Sequence, residues 1–201
     1  APIAKEEILE LKAGDAVQIS GIGVTARDTA LKYMVEKLIA GHETLLPEDE
    51  SIRDELQSIL KGGIIYHSGP IVGKDAAGWR FVSAGPTTSI RAEIYQGKVI
   101  AAWGVSIVIG KGGMGLRTLA ACRQYGAVYV HGIGGAGVYI AARIPEVIDV
   151  FKEKEFGTPE AMWKIRFEGF TGIVTMDAHG RSLHAELAKS FDDHLNYLIG
   201  G

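Results

Sequence analysis

Val105-Ser106-Ile107-Val108-Ile109-Gly110-Lys111-Gly112-Gly113-Met114-Gly115 decides the fold. A β-branched apolar run, Val105 to Ile109, is delivered into a glycine turn, and Leu116 to Tyr125 then carries helical spacing. Ala127 to Val130 follows as a second buried strand, running into Gly132 to Gly137. Strand, glycine loop, helix and strand in this order predict a β/α unit.

Working outward, the unit recurs. Ala16 to Ser20 reads as a short strand after the turn Ala13-Gly14-Asp15. Thr25-Ala26-Arg27-Asp28 predicts a helix start, with Thr25 as N-cap and Asp28 as its acidic capping partner. Ala30, Leu31, Met34, Val35, Leu38 and Ile39 continue that helix to a stop at Gly41. Ile52, Leu56, Ile59 and Leu60 mark a polar surface helix ending at Gly62-Gly63, and Ile64 to His67 is a buried strand ending in Ser68-Gly69-Pro70. Trp79 to Ser83 predicts a strand that stops at Ala84-Gly85-Pro86. After Thr87-Thr88-Ser89, Ile90 to Tyr95 is short enough to be helix or strand. Ile165 to Phe170 and Ile173 to Met176 read as hairpin-like strands before the turn Asp177-Ala178-His179-Gly180. A closing helix, Leu183 to Leu198, carries Leu187, Phe191, Leu195 and Leu198 on one side. The sum is an α/β fold with a mixed sheet and flanking helices.

The chain has 201 residues, 47% hydrophobic and 22% charged, which predicts one domain over residues 1–201 with a real core. Its formal net charge is −3, which favours neither a nucleic-acid nor an anionic-membrane partner. No apolar run approaches the ~20 residues of a membrane span, and Lys5-Glu6-Glu7 argues against a signal peptide. The single cysteine, Cys122, excludes an internal disulfide and points to a reducing, cytoplasmic setting. It also excludes an iron–sulfur cluster or cysteine-rich zinc site held by this chain alone.

The 27 glycines cluster, and the clusters are where chemistry is to be sought. Gly110/Gly112/Gly115 and Gly132/Gly134/Gly137 both fit G-x-G-x-x-G, which can cradle phosphate between a strand and a helix. Both lie mid-chain and neither is followed by a well-placed acidic residue, so tight turning is the competing explanation. Gly110-Lys111 lacks the Ser or Thr of a Walker loop. Among His42, His67, His131, His179, His184 and His194 no metal-ligand spacing occurs. His67 and His131 each sit where an apolar strand meets a glycine turn, as cleft residues or as hydrogen-bonded core histidines. Arg27, Arg91 and Lys111 follow strand-to-loop breaks, where basic side chains build anion sites. If the strand ends converge, three cations face one crevice, and with Thr87 and Thr88 they suggest a small polycarboxylate pocket.

The ordered set Ile65-Tyr66-His67-Ser68-Gly69-Pro70, Ser83-Ala84-Gly85-Pro86-Thr87-Thr88-Ser89-Ile90-Arg91 and Ile109-Gly110-Lys111-Gly112 resembles the C-terminal domain of class I fumarate hydratases. It is similar also to the β subunit of L(+)-tartrate dehydratases. The resemblance covers nearly the whole chain, from Gly23-x-x-x-Ala26-Arg27-Asp28 to the Phe170–Gly180 region. It implies a swivelling β/α domain paired with a larger α subunit in a hetero-oligomer. That partner would hold an oxygen-sensitive four-iron–four-sulfur cluster, one iron acting as Lewis acid. The implied reaction is reversible hydration of the double bond of a small dicarboxylate. By the same resemblance Arg27 and Arg91 bind substrate and Lys111 assists. Thr87 takes part in proton abstraction with an acidic residue of the partner, while Thr88 and His67 lie beside it as further substrate-binding residues. The chain reads Ile90-Arg91-Ala92-Glu93 where the family often has G-R-M-D, a departure that bears on substrate preference. The Gly132 loop is then a structural turn or a seat for the partner. Two other readings stand beside this one: a nucleotide-binding oxidoreductase and a non-catalytic interaction module.

Overall fold

The computed structural model describes residues 2–40, 45–76 and 78–199, with side chains described through residue 191. In chain order the elements are α1 (Lys5–Glu10), β1 (Ala16–Thr25), α2 (Asp28–Tyr33) with a π-helical continuation over Met34–Ile39, and α3 (Pro47–Leu60). Next come β2 (Ile64–Tyr66), β3 (Ile71–Asp75), β4 (Gly78–Ser83), a 3₁₀ turn (Ser89–Ala92), α4 (Glu93–Trp103), β5 (Ile107–Gly110) and α5 (Leu116–Tyr125). The chain ends with β6 (Val128–Gly132), α6 (Gly137–Ala141), β7 (Glu146–Phe151), α7 (Glu153–Phe156), β8 (Met162–Met176) and α8 (Leu183–Ile199).

β1, β2, β5 and β6 run parallel in that order, and β8 is antiparallel to both β6 and β1. The main sheet therefore closes on itself through β8, with β7 attached along the first third of that strand. The alternation along the short strands sorts two cores. Ile64, Tyr66, Ile107, Ile109, Val128 and Val130 join Phe167 and Phe170 on the inner face. Tyr66 meets both phenylalanines edge-on at 5.7 Å, although β2 and β8 are not neighbours, so these rings meet across the inside. The alternate residues Ile65, Val108 and Tyr129 pack outward against Leu31, Met34, Val99, Ile100 and Cys122 of the helices. Both faces of the parallel strands are buried, which is why they read as continuous apolar runs. Because four strands are parallel, the loops after β1, β2, β5 and β6 gather at one end of the closed sheet.

Two expectations are corrected and one open alternative is settled. Thr25 is the last residue of β1 and not a helix cap: its hydroxyl donates to Ala161 O (3.2 Å) and accepts from Trp163 N–H (3.0 Å). The two C-terminal strands are one 15-residue strand, β8, whose pairing partner changes along its length. Ile90 to Tyr95 is helical, and the helix runs on to Trp103. The helix stop at Gly41, together with His42, lies outside the described residues, and the side chains of His194, Leu195 and Leu198 do as well.

Candidate active site

The segment after β4 is spliced between the ends of β2 and β5. Thr87 N–H donates to His67 O (2.7 Å), Lys111 N–H to Thr87 O (3.2 Å), and Ser89 N–H to Lys111 O (3.0 Å). Thr87, Thr88 and Lys111 thereby become neighbours in one short parallel ladder, with Thr88 directly opposite Lys111. Ser68 Oγ donates to Gly85 O (3.0 Å) and Ala84 N–H to Gly137 O (2.9 Å), so the β2 and β6 loops hold the other side of the splice. Lys111 is half-buried and has no acidic partner among the described residues. A Cβ placed on Gly134 would stand 3.8 Å from Lys111 Cδ, so the two glycine loops meet at this lysine. Thr87 Oγ1 donates to His67 O (3.1 Å), and the 3₁₀ turn that follows takes no side-chain cap.

Beneath the splice lies His67, only 2% exposed, and its ring does not reach the surface. Nδ1 is 2.8 Å from Ser89 Oγ and Nε2 is 2.8 Å from Gln96 Oε1, while Tyr129 OH donates to Ser89 Oγ (2.9 Å). Both ring nitrogens are thus occupied by protein groups. Gly110 makes room for this cluster, since an added Cβ would stand 1.9 Å from Ser89 Oγ and 2.9 Å from Tyr129 OH. Ser89, Gln96 and Tyr129 were not foreseen. The one available signal was a tyrosine inside the apolar run Ala127 to Val130, a hydroxyl that needs a buried partner.

Arg27 follows β1, and its Nε lies 3.1 Å from Glu160 Oε1, whose second oxygen accepts Thr29 N–H (3.0 Å). The guanidinium crosses Gly69, where a Cβ would come within 2.6 Å of it. Arg91 Nε lies 3.4 Å from Asp28 Oδ2. Asp28 adjoins Arg27, which brings both arginines to one rim beside the turn that follows His67. The strand ends do converge, but the three cations are not equivalent. The two arginines already hold carboxylates of this chain, and Lys111 does not.

Of the two explanations for the first glycine fingerprint, the phosphate cradle fails. Glu93 accepts the N–H groups of Gly115 (2.8 Å), Arg117 (2.8 Å) and Thr118 (3.2 Å) and the Thr118 hydroxyl (2.7 Å). A carboxylate of the chain therefore fills the α5 N-terminus where a phosphate would sit. The second fingerprint leads into α6, a helix of five residues, and its loop buttresses Ala84 and Lys111 instead. Cys122 is fully buried, and burial pushes its thiol up to about 12, a setting hostile to a thiolate ligand. No group of three or more metal-ligating side chains occurs among the described residues.

Burial lowers the His67 imidazole to about 4, against an unfolded value of roughly 6.5. The folded state favours the neutral ring, so its contribution to stability is complete above pH 6.5 and is lost as pH falls toward 4. The loss is roughly 3 kcal/mol over that window. Desolvation lowers His131 and His184 as well, adding to the same slope. Thermal unfolding followed from pH 7 to 4.5 should show Tm falling, and less steeply in His67→Phe. A flat Tm would contradict a neutral buried His67.

Residues 1–187 match the family model described as Fumarase C-terminus. The chain is 47% identical over 191 residues to a protein of Geobacillus stearothermophilus provisionally named a class I fumarate hydratase. That match covers 94% of this chain and 34% of the relative, so the chain spans about a third of that protein's length. It is 37% identical to a protein of Methanocaldococcus jannaschii provisionally named an L(+)-tartrate dehydratase β subunit, covering 98% of this chain and 96% of the relative. To the L(+)-tartrate dehydratase β subunit of Escherichia coli it is 34% identical, covering 98% and 91%. With a family match across nearly all of its length and these relatives beside it, the chain belongs to the Fumarase C-terminus family.

Proposed function

We propose that this chain is the β subunit of a two-subunit iron–sulfur hydro-lyase that reversibly hydrates fumarate to malate in the cytoplasm. The observation that supports this reading is the ladder seating Thr87 and Lys111 side by side at the strand ends, on the rim shared with Arg27 and Arg91. The cluster that the family implies does not fit the described residues, so its ligands are assigned to the α subunit.

Hydration adds hydroxyl to one carbon of the double bond and a proton to its neighbour. In the reverse direction the chain must hold a dicarboxylate and help remove a carbon-bound proton. Arg27 and Arg91 hold the carboxylates. The Arg91–Asp28 pair is about half exposed, where ion pairs contribute ~0–1 kcal/mol, so a substrate carboxylate can displace Asp28. Arg27 stays paired with the less exposed Glu160 and meets substrate with its terminal nitrogens. Thr87 carries the proton-transfer hydroxyl, a carboxylate of the partner accepts its proton, and the Lys111 ammonium stabilises the resulting charge on oxygen. Thr88, exposed beside them, lines the substrate face.

A tartrate dehydratase is the second reading, favoured by two relatives of that name that the chain matches over 91% and 96% of their length. Both reactions need two carboxylate clamps and a proton-transfer group. Glu93 does not separate them, because its carboxylate is spent on the α5 N-terminus. The complex purified anaerobically with its natural α subunit should give a kcat/KM for fumarate and malate far above that for L(+)-tartrate. The opposite ranking would make it a tartrate dehydratase. Turnover of neither would remove the hydro-lyase reading.

A further inference from the structure

We propose that His67 is a positioning residue for Thr87, its ring held by Ser89 and Gln96 so that its main-chain carbonyl aims the Thr87 hydroxyl. The proposal rests on the role given to Thr87 above and adds what sets its geometry.

The His67 carbonyl accepts twice from Thr87, from N–H at 2.7 Å and from Oγ1 at 3.1 Å. That carbonyl lies just past the last residue of β2, where the strand's own pairing gives out, and the His67 N–H donating to Ile109 O (2.8 Å) is its last tie to β5. Beyond it the chain is held by Ser68, whose N–H donates to Tyr66 O (2.9 Å) and whose Oγ donates to Gly85 O (3.0 Å), and the orientation of His67 itself by its side chain. The hydrogen bonds have a single consistent direction. Tyr129 donates to Ser89 Oγ, which leaves the serine proton for His67 Nδ1. Nδ1 is therefore the acceptor, and the ring proton sits on Nε2, donated to Gln96 Oε1. Four elements contribute to the chain: β6, the splice, the end of β2 and α4. Every link is neutral, as burial requires.

Ser89 is the link that makes this more than a satisfied core histidine. Its hydroxyl fixes the His67 ring and its N–H donates to Lys111 O, so one residue holds both sides of the ladder containing Thr87. Loosening Ser89 or His67 should move the Thr87 hydroxyl while leaving the arginine rim in place. The loss then appears in kcat and not in KM.

The test uses the complete enzyme with its cluster-bearing partner, comparing wild type, Ser89→Ala, His67→Phe and Thr87→Val, and the Ser89→Ala/Thr87→Val double variant. Ser89→Ala and His67→Phe should each lower kcat by ~10–100-fold, the effect of small misplacement at a reacting group, with KM within about threefold. Because they act through Thr87, Ser89→Ala should cost nothing further in the Thr87→Val background. Nitrogen-15 NMR of the histidine-labelled protein supplies a readout independent of turnover. His67 should show a neutral Nε2–H ring at pH 7 whose Nδ1 signal shifts in Ser89→Ala. A lowered Tm with wild-type kcat in both single variants would overturn the proposal, as would an Nδ1–H or doubly protonated ring. An undiminished Ser89→Ala loss in the Thr87→Val background would overturn it too. If Thr87→Val itself retains wild-type kcat, the reading beneath the proposal falls with it. A crippled Thr87→Val beside a fully active Ser89→Ala removes this inference alone.

Discussion

Replacing Thr87 with valine should lower kcat of the cluster-replete complex by ~10²–10⁴-fold, the usual contribution of a positioned proton-transfer group. The substitution is nearly isosteric and exchanges one hydroxyl for a methyl. His67 O keeps the Thr87 main-chain N–H (2.7 Å) as a donor, so no buried acceptor is stranded. The splice, Lys111 and both arginines stay where they are, and substrate affinity should change little. Thr87 does not cap the turn that follows, because its hydroxyl bonds back to His67 O. Melting temperature and kcat measured on the same sample separate the outcomes. A wild-type kcat with a lowered Tm would leave Thr87 a structural residue.

Arg91→Lys should damage turnover although the charge is kept. A guanidinium clamps a carboxylate with two parallel N–H bonds, whereas an ammonium is a compact point charge. Losing one such clamp in a desolvated site should cost roughly 2–5 kcal/mol, read in kcat/KM. The resting partner of Arg91 is Asp28 at 3.4 Å, and both side chains are about half exposed (50% and 45%), so the pair adds little to stability. Folding should therefore be preserved in Arg91→Lys, which makes the kinetic result clean. Arg27→Lys should lose activity by a similar factor and also some stability. Arg27 is less exposed, at 23%, and joins β1 to Glu160 and the α2 N-terminus. Near-wild-type kcat/KM in both variants would mean that the substrate lies elsewhere.

The parts of the fold legible in the sequence were those governed by local pattern. Val105 to Val130 read correctly because its strands are buried on both faces and its helix has a regular period. Ile90 to Tyr95 did not resolve, since Ile90 and Ile94 are 48% and 51% exposed and give no core-facing stripe. Gly97 further disguised the helix, although it is there because α5 passes close, with Arg117 O 3.3 Å from where a Cβ would stand. Thr25 and Asp28 match a capping spacing, yet Thr25 is claimed by Ala161 and Trp163, far away in the chain. Thr171-Gly172 interrupts the apolar pattern of β8 and made one strand look like two, although Gly172 keeps the ladder by pairing with Val17 and Gly132.

The candidate site divides the same way. The strand-end positions of Thr87, Thr88, Lys111, Arg27 and Arg91 were legible from the strand-then-glycine context, and the family resemblance marks the same residues. Their restraints were not. The Arg27–Glu160 pair and the His67–Ser89–Gln96–Tyr129 cluster join segments that only the closed sheet brings together. His67 was legible as either a cleft or a core histidine, because a histidine at a strand end reads alike in either setting, and it is the core one.

The central claim is that this chain carries one half of an active site, and the most direct measurement is fumarate hydration by three anaerobic samples. These are this chain alone, its α subunit alone, and the two combined. The account predicts that this chain is folded, colourless, free of iron and inactive by itself, and that hydratase activity appears only in the combined sample. Iron, sulfide and hydratase activity recovered from this chain alone would contradict it.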